Sequence, residues 1–99
     1  MNKSIKKKWV AALRSGEYQQ GQGLMCHEGK YCCLGVLCDI LPKPAKKGVS
    51  YLEQPWHNMP KPSVLESIGI SSGSADELVR MNDGGNSFKI ISRYIGRHL

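Results

Sequence analysis

Apolar residues recur at helical spacing near the start of the chain. Ile5, Trp9 and Leu13 lie four residues apart, which predicts an amphipathic helix with these three side chains on its buried face. Ser4 is placed to cap the first turn of this helix, and Gly16 is placed to end it.

The longest apolar run covers residues 33–41, and it ends immediately before Pro42. Its apolar side chains fall at i, i+3, i+4 and i+7, which predicts a buried helix. The proline cannot continue that helix, so we expect the helix to stop there. A buried strand over residues 34–36 is the alternative.

Short strands are predicted between these two helices. Residues 24–26 and 31–33 carry β-favouring or apolar side chains on either side of the sequence His-Glu-Gly-Lys. This sequence suits a tight turn, since Gly29 can adopt a positive φ.

The last third of the chain carries three helical patterns. Ser63 and Ser74 each stand three residues before a glutamate, which is the spacing of a capping box at a helix start. A turn is predicted over residues 82–86, and Ser87 can cap the final helix. The predicted buried face of that helix consists of Phe88, Ile91 and Ile95.

The order of these elements predicts a small α+β fold formed by residues 1–99 as a single domain. An N-terminal helix, a hairpin or small sheet and a buried central helix precede a C-terminal helical pair. All five prolines lie in residues 42–62, which predicts a loop within the domain. The predicted core is Trp9, Leu13, Leu34, Leu37, Leu65, Ile68, Leu78, Phe88, Ile91 and Ile95.

The formal net charge is +6, and the excess of basic residues lies in the first half of the chain. This uneven distribution indicates a candidate binding surface. Lys6, Lys7 and Lys8 stand near the start of the first predicted helix, where the helix dipole disfavours positive charge. A basic surface suits nucleic acid, nucleotides or an acidic protein. Solubility alone is the alternative explanation.

A second basic feature lies on the final helix. Lys89, Arg93 and Arg97 are spaced i, i+4 and i+8, so they form one stripe opposite the apolar face. Such a stripe can contact phosphate groups. It is also consistent with an ordinary solvated face, since basic residues late in a helix favour its dipole.

Cysteine and histidine are concentrated at Cys26, His27, Cys32, Cys33 and Cys38. The paired spacing C-x₂-C of zinc sites is absent. We therefore predict buried free thiols, no metal and no cofactor. No histidine is tied by spacing to a cysteine, so we predict a binding protein rather than an enzyme.

Two further segments are candidates for ligand or partner contact. Asn82, Asp83 and Gly84 belong to the predicted turn before the final helix, whose backbone N–H groups could face an anion. Trp56 lies in the proline-rich loop and could serve as an interface residue. A helix-ending turn and a side chain that covers the core are the respective alternatives.

Three blocks of this sequence resemble a family of small proteins of phages and prophages. The blocks are W-x-x-A-L-R-S-G-x-Y at residues 9–18, Y-C-C-L-G-V-L-C-D at residues 31–39 and M-N-D-G-G-N-S-F at residues 81–88. The resemblance implies an accessory protein and implies no chemistry.

From this resemblance we expect an inhibitor of a host factor or of a host defence system. It would bind a host or defence-system protein, or an anionic ligand such as a signalling nucleotide. Nucleic-acid binding through the two basic helices is the alternative. No apolar run is long enough to cross a bilayer and no signal peptide is recognisable, so we expect the host cytoplasm and no membrane partner. A homo-oligomer is compatible with a domain this small.

Overall fold

The computed structural model describes residues 1–41 and 59–99. The predictions for Trp56 and for most of the proline-rich loop fall outside these residues. Within them, five helices and a small three-stranded sheet form an α+β fold, as predicted. The elements are α1 (Lys3–Arg14), β1 (Gln19–Gln20), β2 (Cys26–His27), β3 (Lys30–Tyr31), α2 (Cys33–Ile40), α3 (Pro62–Ile68), α4 (Ser72–Asp83) and α5 (Phe88–His98).

Helix α1 begins two residues earlier than its predicted cap implies. The side chain of Asn2 accepts a hydrogen bond from the N–H of Ile5 at 3.0 Å, so Asn2 is the N-cap and the prediction of Ser4 is wrong. The backbone N–H of Asn2 also donates to the carbonyl of Ile68 at 2.9 Å, which fixes the start of α1 beside α3. Gly16 has a positive φ of 79° just after the helix, as expected for a residue that ends it.

The predicted hairpin is present as strands β2 and β3. Glu28 and Gly29 in the turn both have positive φ, at 50° and 76°, a combination typical of a type I′ turn. Strand β1 was not predicted, and it pairs in parallel with β3, giving the order β1-β3-β2. Cys33 is not part of a strand but starts α2, and Cys32 is its N-cap.

Helix α2 lies at the centre of the molecule. Residues 34–36 belong to this helix, which rules out the strand alternative, and its residues Cys33 to Cys38 are all buried. The hairpin approaches it closely at Gly35, where an added Cβ would stand 1.9 Å from the carbonyl oxygen of Met25. A side chain at this position would therefore separate the hairpin from α2.

The capping box predicted at Ser63 is not formed. Helix α3 begins at Pro62, and its N-cap Lys61 makes no side-chain capping bond. Proline already has the φ angle of a helix and lacks an N–H that would need a partner. It therefore sets the helix start without a capping side chain.

Helix α4 also begins earlier than predicted. The hydroxyl of Ser71 accepts from the N–H of Ser74 at 3.1 Å, so Ser71 is the cap and Ser74 lies inside the helix. The other end extends to Asp83, two residues into the predicted turn. For α5 the prediction is confirmed, since the hydroxyl of Ser87 accepts from the N–H of Ile90 at 3.3 Å.

All ten predicted core residues are buried. Helix α1 packs on α5 and α2, and α4 packs on α2 and α5. The buried indole of Trp9 donates its N–H to the carbonyl of Cys33 at 2.9 Å, which satisfies the only polar atom of that side chain. The core also contains residues that were not predicted, among them Met25, Val36, Leu41, Ile70 and Ala75.

Candidate anion-binding cleft

An open cleft of about 760 Å³ lies where the end of α1 meets the first half of α5. Strand β1 and the segment before it form the third wall. The lining residues are Leu13, Arg14, Gly16, Tyr18, Gln20, Ser87, Phe88, Lys89 and Arg93.

Three of these side chains are cationic and none is acidic. Arg14 comes from α1, and Lys89 and Arg93 come from adjacent turns of α5. Within residues 1–41 and 59–99, none of the three forms an ion pair with a carboxylate. The cleft therefore carries three positive charges that the described part of the chain leaves uncompensated.

Two members of the predicted basic stripe thus lie in the cleft, and the third does not. Arg97 is exposed, but it stands one turn beyond Arg93 and is not among the lining residues. Arg14 was not predicted as a site residue. Neighbouring positions on different helices can be recognised only once α1 and α5 are packed together.

Arg14 is held in place by a buried hydroxyl of α5. Its Nε–H donates to the Oγ of Ser92 at 2.9 Å. Ser92 is 1% exposed, and its own hydroxyl donates to the carbonyl of Lys89 at 2.7 Å. The serine oxygen thus donates once and accepts once, and the guanidinium of Arg14 is fixed against α5.

An aromatic side chain, Tyr18, also lines the cleft. The hydroxyl of Tyr18 donates to Asp39 at 2.5 Å, and its ring packs edge-on against Tyr31 with centroids 5.1 Å apart. Burial raises the pKa of Tyr18 far above its ordinary value, and the bond to Asp39 raises it further. The hydroxyl therefore stays neutral at physiological pH, so Tyr18 adds aromatic surface and no charge to the cleft.

Asn82 lies beneath the cleft rather than in it. It is 0% exposed, and its Oδ1 accepts from the N–H of Cys33 at 3.2 Å and from Nε2 of Gln20 at 3.1 Å. Its Nδ2 donates to the carbonyl of Gly21 at 2.8 Å. The side chain that we considered for ligand contact instead joins α4 to α2 and to the segment around β1.

The rest of the segment 82–86 also binds within the protein. Asp83 accepts from the N–H of Gly23 at 2.8 Å. The N–H groups of Gly84, Gly85 and Asn86 donate to carbonyls of α4. Only Gly85 has a positive φ, at 91°. An anion at these backbone donors would have to displace bonds that end α4.

The lysines of α1 lie outside the cleft. Lys7 and Lys8 are exposed and Lys6 is partly buried. Lys7 and Arg14 are seven residues apart, which places them on one helix face about 10 Å apart along the axis. The exposed basic surface therefore extends along α1 away from the cleft.

The cysteines are free thiols, three of them buried and Cys26 partly exposed. Burial raises the pKa of Cys32, of Cys33 and of Cys38, the last to about 12. The reactive thiolate form is therefore disfavoured at all three. In the described part of the chain, no three His, Cys, Asp or Glu residues come together as a metal site.

Among known proteins, a family model described as a domain of unknown function (DUF8296) matches residues 1–54. These residues include α1, the sheet, α2 and the side chains of Arg14, Tyr18 and Gln20 that line the cleft. No curated protein and no solved structure matches the chain. No described helix is both long and apolar enough to span a membrane.

Proposed function

This chain belongs to the DUF8296 family, a domain of unknown function, and from its own geometry we propose that it binds a small anionic ligand in the cleft between α1 and α5. In this proposal it is an accessory protein of a phage or prophage, active in the host cytoplasm. It withholds an anionic molecule, such as a signalling nucleotide, from a host factor or defence system.

The observation that carries this proposal is a set of three cations around one cleft, none of which has a carboxylate partner within residues 1–41 and 59–99. Lys89 and Arg93 are like charges at i, i+4, which destabilise a helix by about 0.2–0.5 kcal/mol. Lys89 also lies in the first turn of α5, which contains no acidic residue, where the helix dipole opposes a positive charge. An anion bound between these side chains would relieve both unfavourable terms.

The shape of the cleft supports a small ligand. Pockets for small molecules commonly measure about 300–1,000 Å³, and this cleft falls in that range at about 760 Å³. Tyr18 and Phe88 offer apolar surface beside the cations. Among the described residues that line the cleft, the polar side chains are cations, amides and hydroxyls, which suit the binding of an anion.

The test compares two arginines of the same helix. Native mass spectrometry of the full chain, incubated with a nucleotide extract of bacterial cells, would identify the ligand by its added mass. We expect Arg93→Gln to lose this adduct and Arg97→Gln to retain it, because only Arg93 lines the cleft. Failure to find any anionic adduct at millimolar ligand would refute the proposal.

Nucleic-acid binding is the second candidate, because the exposed cations continue beyond the cleft. Arg97 extends the stripe on α5, and Lys7 and Lys8 are exposed on α1. A phosphate-contacting surface would lose affinity about equally in Arg93→Gln and Arg97→Gln, and affinity would fall steeply with salt. A host protein that co-purifies with the chain and masks the cleft would instead favour the protein-binding form of the inhibitor.

A further inference from the structure

We infer that the cleft selects a ligand with a pyrophosphate group over one that contains only phosphodiesters, and that Ser92 positions Arg14 for this recognition. The inference rests on the proposed function, since it names the chemical class of the ligand. It depends on the number of charges in the cleft and on the way in which one of them is held.

The charge of the cleft favours more than one phosphate. A phosphodiester carries a single negative charge and two non-bridging oxygens, which one guanidinium can bind in a bidentate manner. Lys89 and Arg93 would then have no anionic partner. A pyrophosphate group brings about three negative charges and several further oxygens, which match the three cations Arg14, Lys89 and Arg93.

The bond to Ser92 determines which edge of Arg14 is available. The Nε–H is engaged by Ser92, and no other bond of Arg14 occurs within the described residues. The two Nη groups therefore remain as a fork that can bind two oxygens of one phosphate. Because the guanidinium is already held, less side-chain freedom is lost on binding.

The hydroxyl of Ser92 is itself oriented for this task. It donates to the carbonyl of Lys89 at 2.7 Å, so its lone pair faces Arg14. Ser67 provides a comparison, because its hydroxyl makes the same bond to the carbonyl of Val64, also at 2.7 Å. Ser67 is exposed, and its hydroxyl accepts no hydrogen bond from an arginine of the described residues. The serine-to-carbonyl bond alone therefore does not distinguish the two positions, whereas the contact with Arg14 does.

Isothermal titration calorimetry with the full chain tests the ligand class. The probes are inorganic pyrophosphate, ADP and cyclic di-AMP. The phosphates of cyclic di-AMP are all diesters, whereas the other two probes contain a pyrophosphate group. We expect pyrophosphate and ADP to bind at least about tenfold more tightly than cyclic di-AMP, since each brings about three negative charges on adjacent phosphates, whereas the two separate phosphodiesters of cyclic di-AMP bring about two. Tighter binding of ADP than of pyrophosphate would identify the source as a nucleotide, with its base against the aromatic surface of Tyr18 or Phe88.

The positioning role is tested by a double-mutant cycle. Ser92→Ala and Arg14→Lys should each weaken pyrophosphate binding about five- to tenfold, and the double variant should lose little more. Ser67→Ala should leave the affinity unchanged. Thermal unfolding of each variant shows whether the fold is retained, and the non-additivity separates positioning from a general loss of stability.

The outcomes separate this inference from the proposed function. Equal affinity of Ser92→Ala and the parent chain for pyrophosphate would overturn the positioning role. Tighter binding of cyclic di-AMP, lost in Arg93→Gln, would overturn the pyrophosphate class and leave the proposed function intact. Binding of no probe, together with no anionic adduct from cell extract, would overturn both.

Discussion

Two polar regions lie close together in this molecule and treat their polar groups in opposite ways. The buried side chain of Asn82 forms its hydrogen bonds within the protein: its Oδ1 accepts two and its Nδ2 donates one. In the cleft above it, Arg14, Lys89 and Arg93 are exposed and lack carboxylate partners in the described residues. Gln20 connects the regions, since it lines the cleft and donates to Asn82.

This difference in hydrogen bonding separates polar residues that the fold requires from polar residues that remain available to a ligand. A buried amide must form hydrogen bonds inside the fold, because leaving its groups unsatisfied costs about 1–3 kcal/mol each. An exposed cation is solvated and needs no partner in the fold. Asn82 supports the architecture, whereas the three cations remain available for the anion that we propose.

The strongest test of the buried region is Gly35→Ala. The new Cβ would stand 1.9 Å from the carbonyl oxygen of Met25, so the hairpin and α2 would have to separate. We expect a loss of at least about 3 kcal/mol in the free energy of unfolding, or no folded protein. Urea unfolding followed by circular dichroism measures it.

Gly96→Ala is the matched control, because nothing lies within 4 Å of the added Cβ in this other helical glycine. It should stabilise the fold by about 0.5–1 kcal/mol, since alanine is the better helix former. A Gly35→Ala variant as stable as the parent chain would show that the hairpin does not pack closely on α2.

The next largest effect is expected from Asn82→Ala. This change leaves the N–H of Cys33 and the carbonyl of Gly21 without their partner, so we expect a loss of about 3 kcal/mol in unfolding free energy. The neighbouring change Asp83→Ala removes one exposed bond to Gly23 and should cost about 0.5 kcal/mol. Equal effects of the two in urea unfolding would mean that Asn82 is no more structural than its exposed neighbour.

The buried thiols provide a pH-dependent test of the same region. Burial raises the pKa of Cys32, Cys33 and Cys38 in the folded chain, so above their ordinary pKa only the unfolded chain loses these protons. The stabilising effect is complete at neutral pH and is lost as the pH rises. We expect the free energy of unfolding to fall by about 1 kcal/mol between about pH 7 and pH 9.

Thiol labelling at neutral pH gives an independent measurement. Cys26 is partly exposed and should react first, while the other three cysteines should react only as fast as the chain unfolds. Rapid labelling of two or more cysteines in the folded protein would contradict the burial of this region.

A smaller change in stability than that of Asn82→Ala is expected from Lys89→Glu, which tests the cleft instead of the buried region. A carboxylate in the first turn of α5 favours the helix dipole, so we expect stabilisation by about 0.3–1 kcal/mol. The same change places a negative charge in the cleft and should abolish pyrophosphate binding. The free energy of unfolding would then rise while the affinity for pyrophosphate falls. This combination is expected where a lysine contributes to binding at a cost in stability.

Arg97→Glu is the control for this pair of measurements. It places an acid in the last turn of α5, where the helix dipole disfavours it, so the free energy of unfolding should fall by about 0.3 kcal/mol. Pyrophosphate binding should weaken much less than in Lys89→Glu, because Arg97 lies outside the lining of the cleft. Equal loss of affinity in both variants would assign binding to the whole stripe.

Much of the fold was predictable from local pattern. Helical spacing of apolar residues identified the buried faces of α1, α2 and α5, and every predicted core residue is buried. Helix starts were less predictable, because several polar residues stand near each start and each can cap. Asn2 and Ser71 serve as caps where Ser4 and Ser74 were predicted.

The cleft was predictable only in part. The stripe on α5 follows from spacing within one helix, so Lys89 and Arg93 were identified. Arg14 and Tyr18 lie in the first of the three recognised blocks, and that block was the only sequence signal for them. Their place opposite α5 depends on contacts between residues about 75 positions apart, which no local pattern contains.

The helices, the hairpin turn and the buried core residues could therefore be predicted from local sequence, since periodicity and turn chemistry act over a few neighbouring positions. The buried hydrogen bonds of Asn82 became visible only in the folded chain. The same is true of the cleft that Arg14, Lys89 and Arg93 share. The reason is physical: whether a polar group is satisfied depends on what packs against it, and in this protein those partners come from opposite ends of the chain.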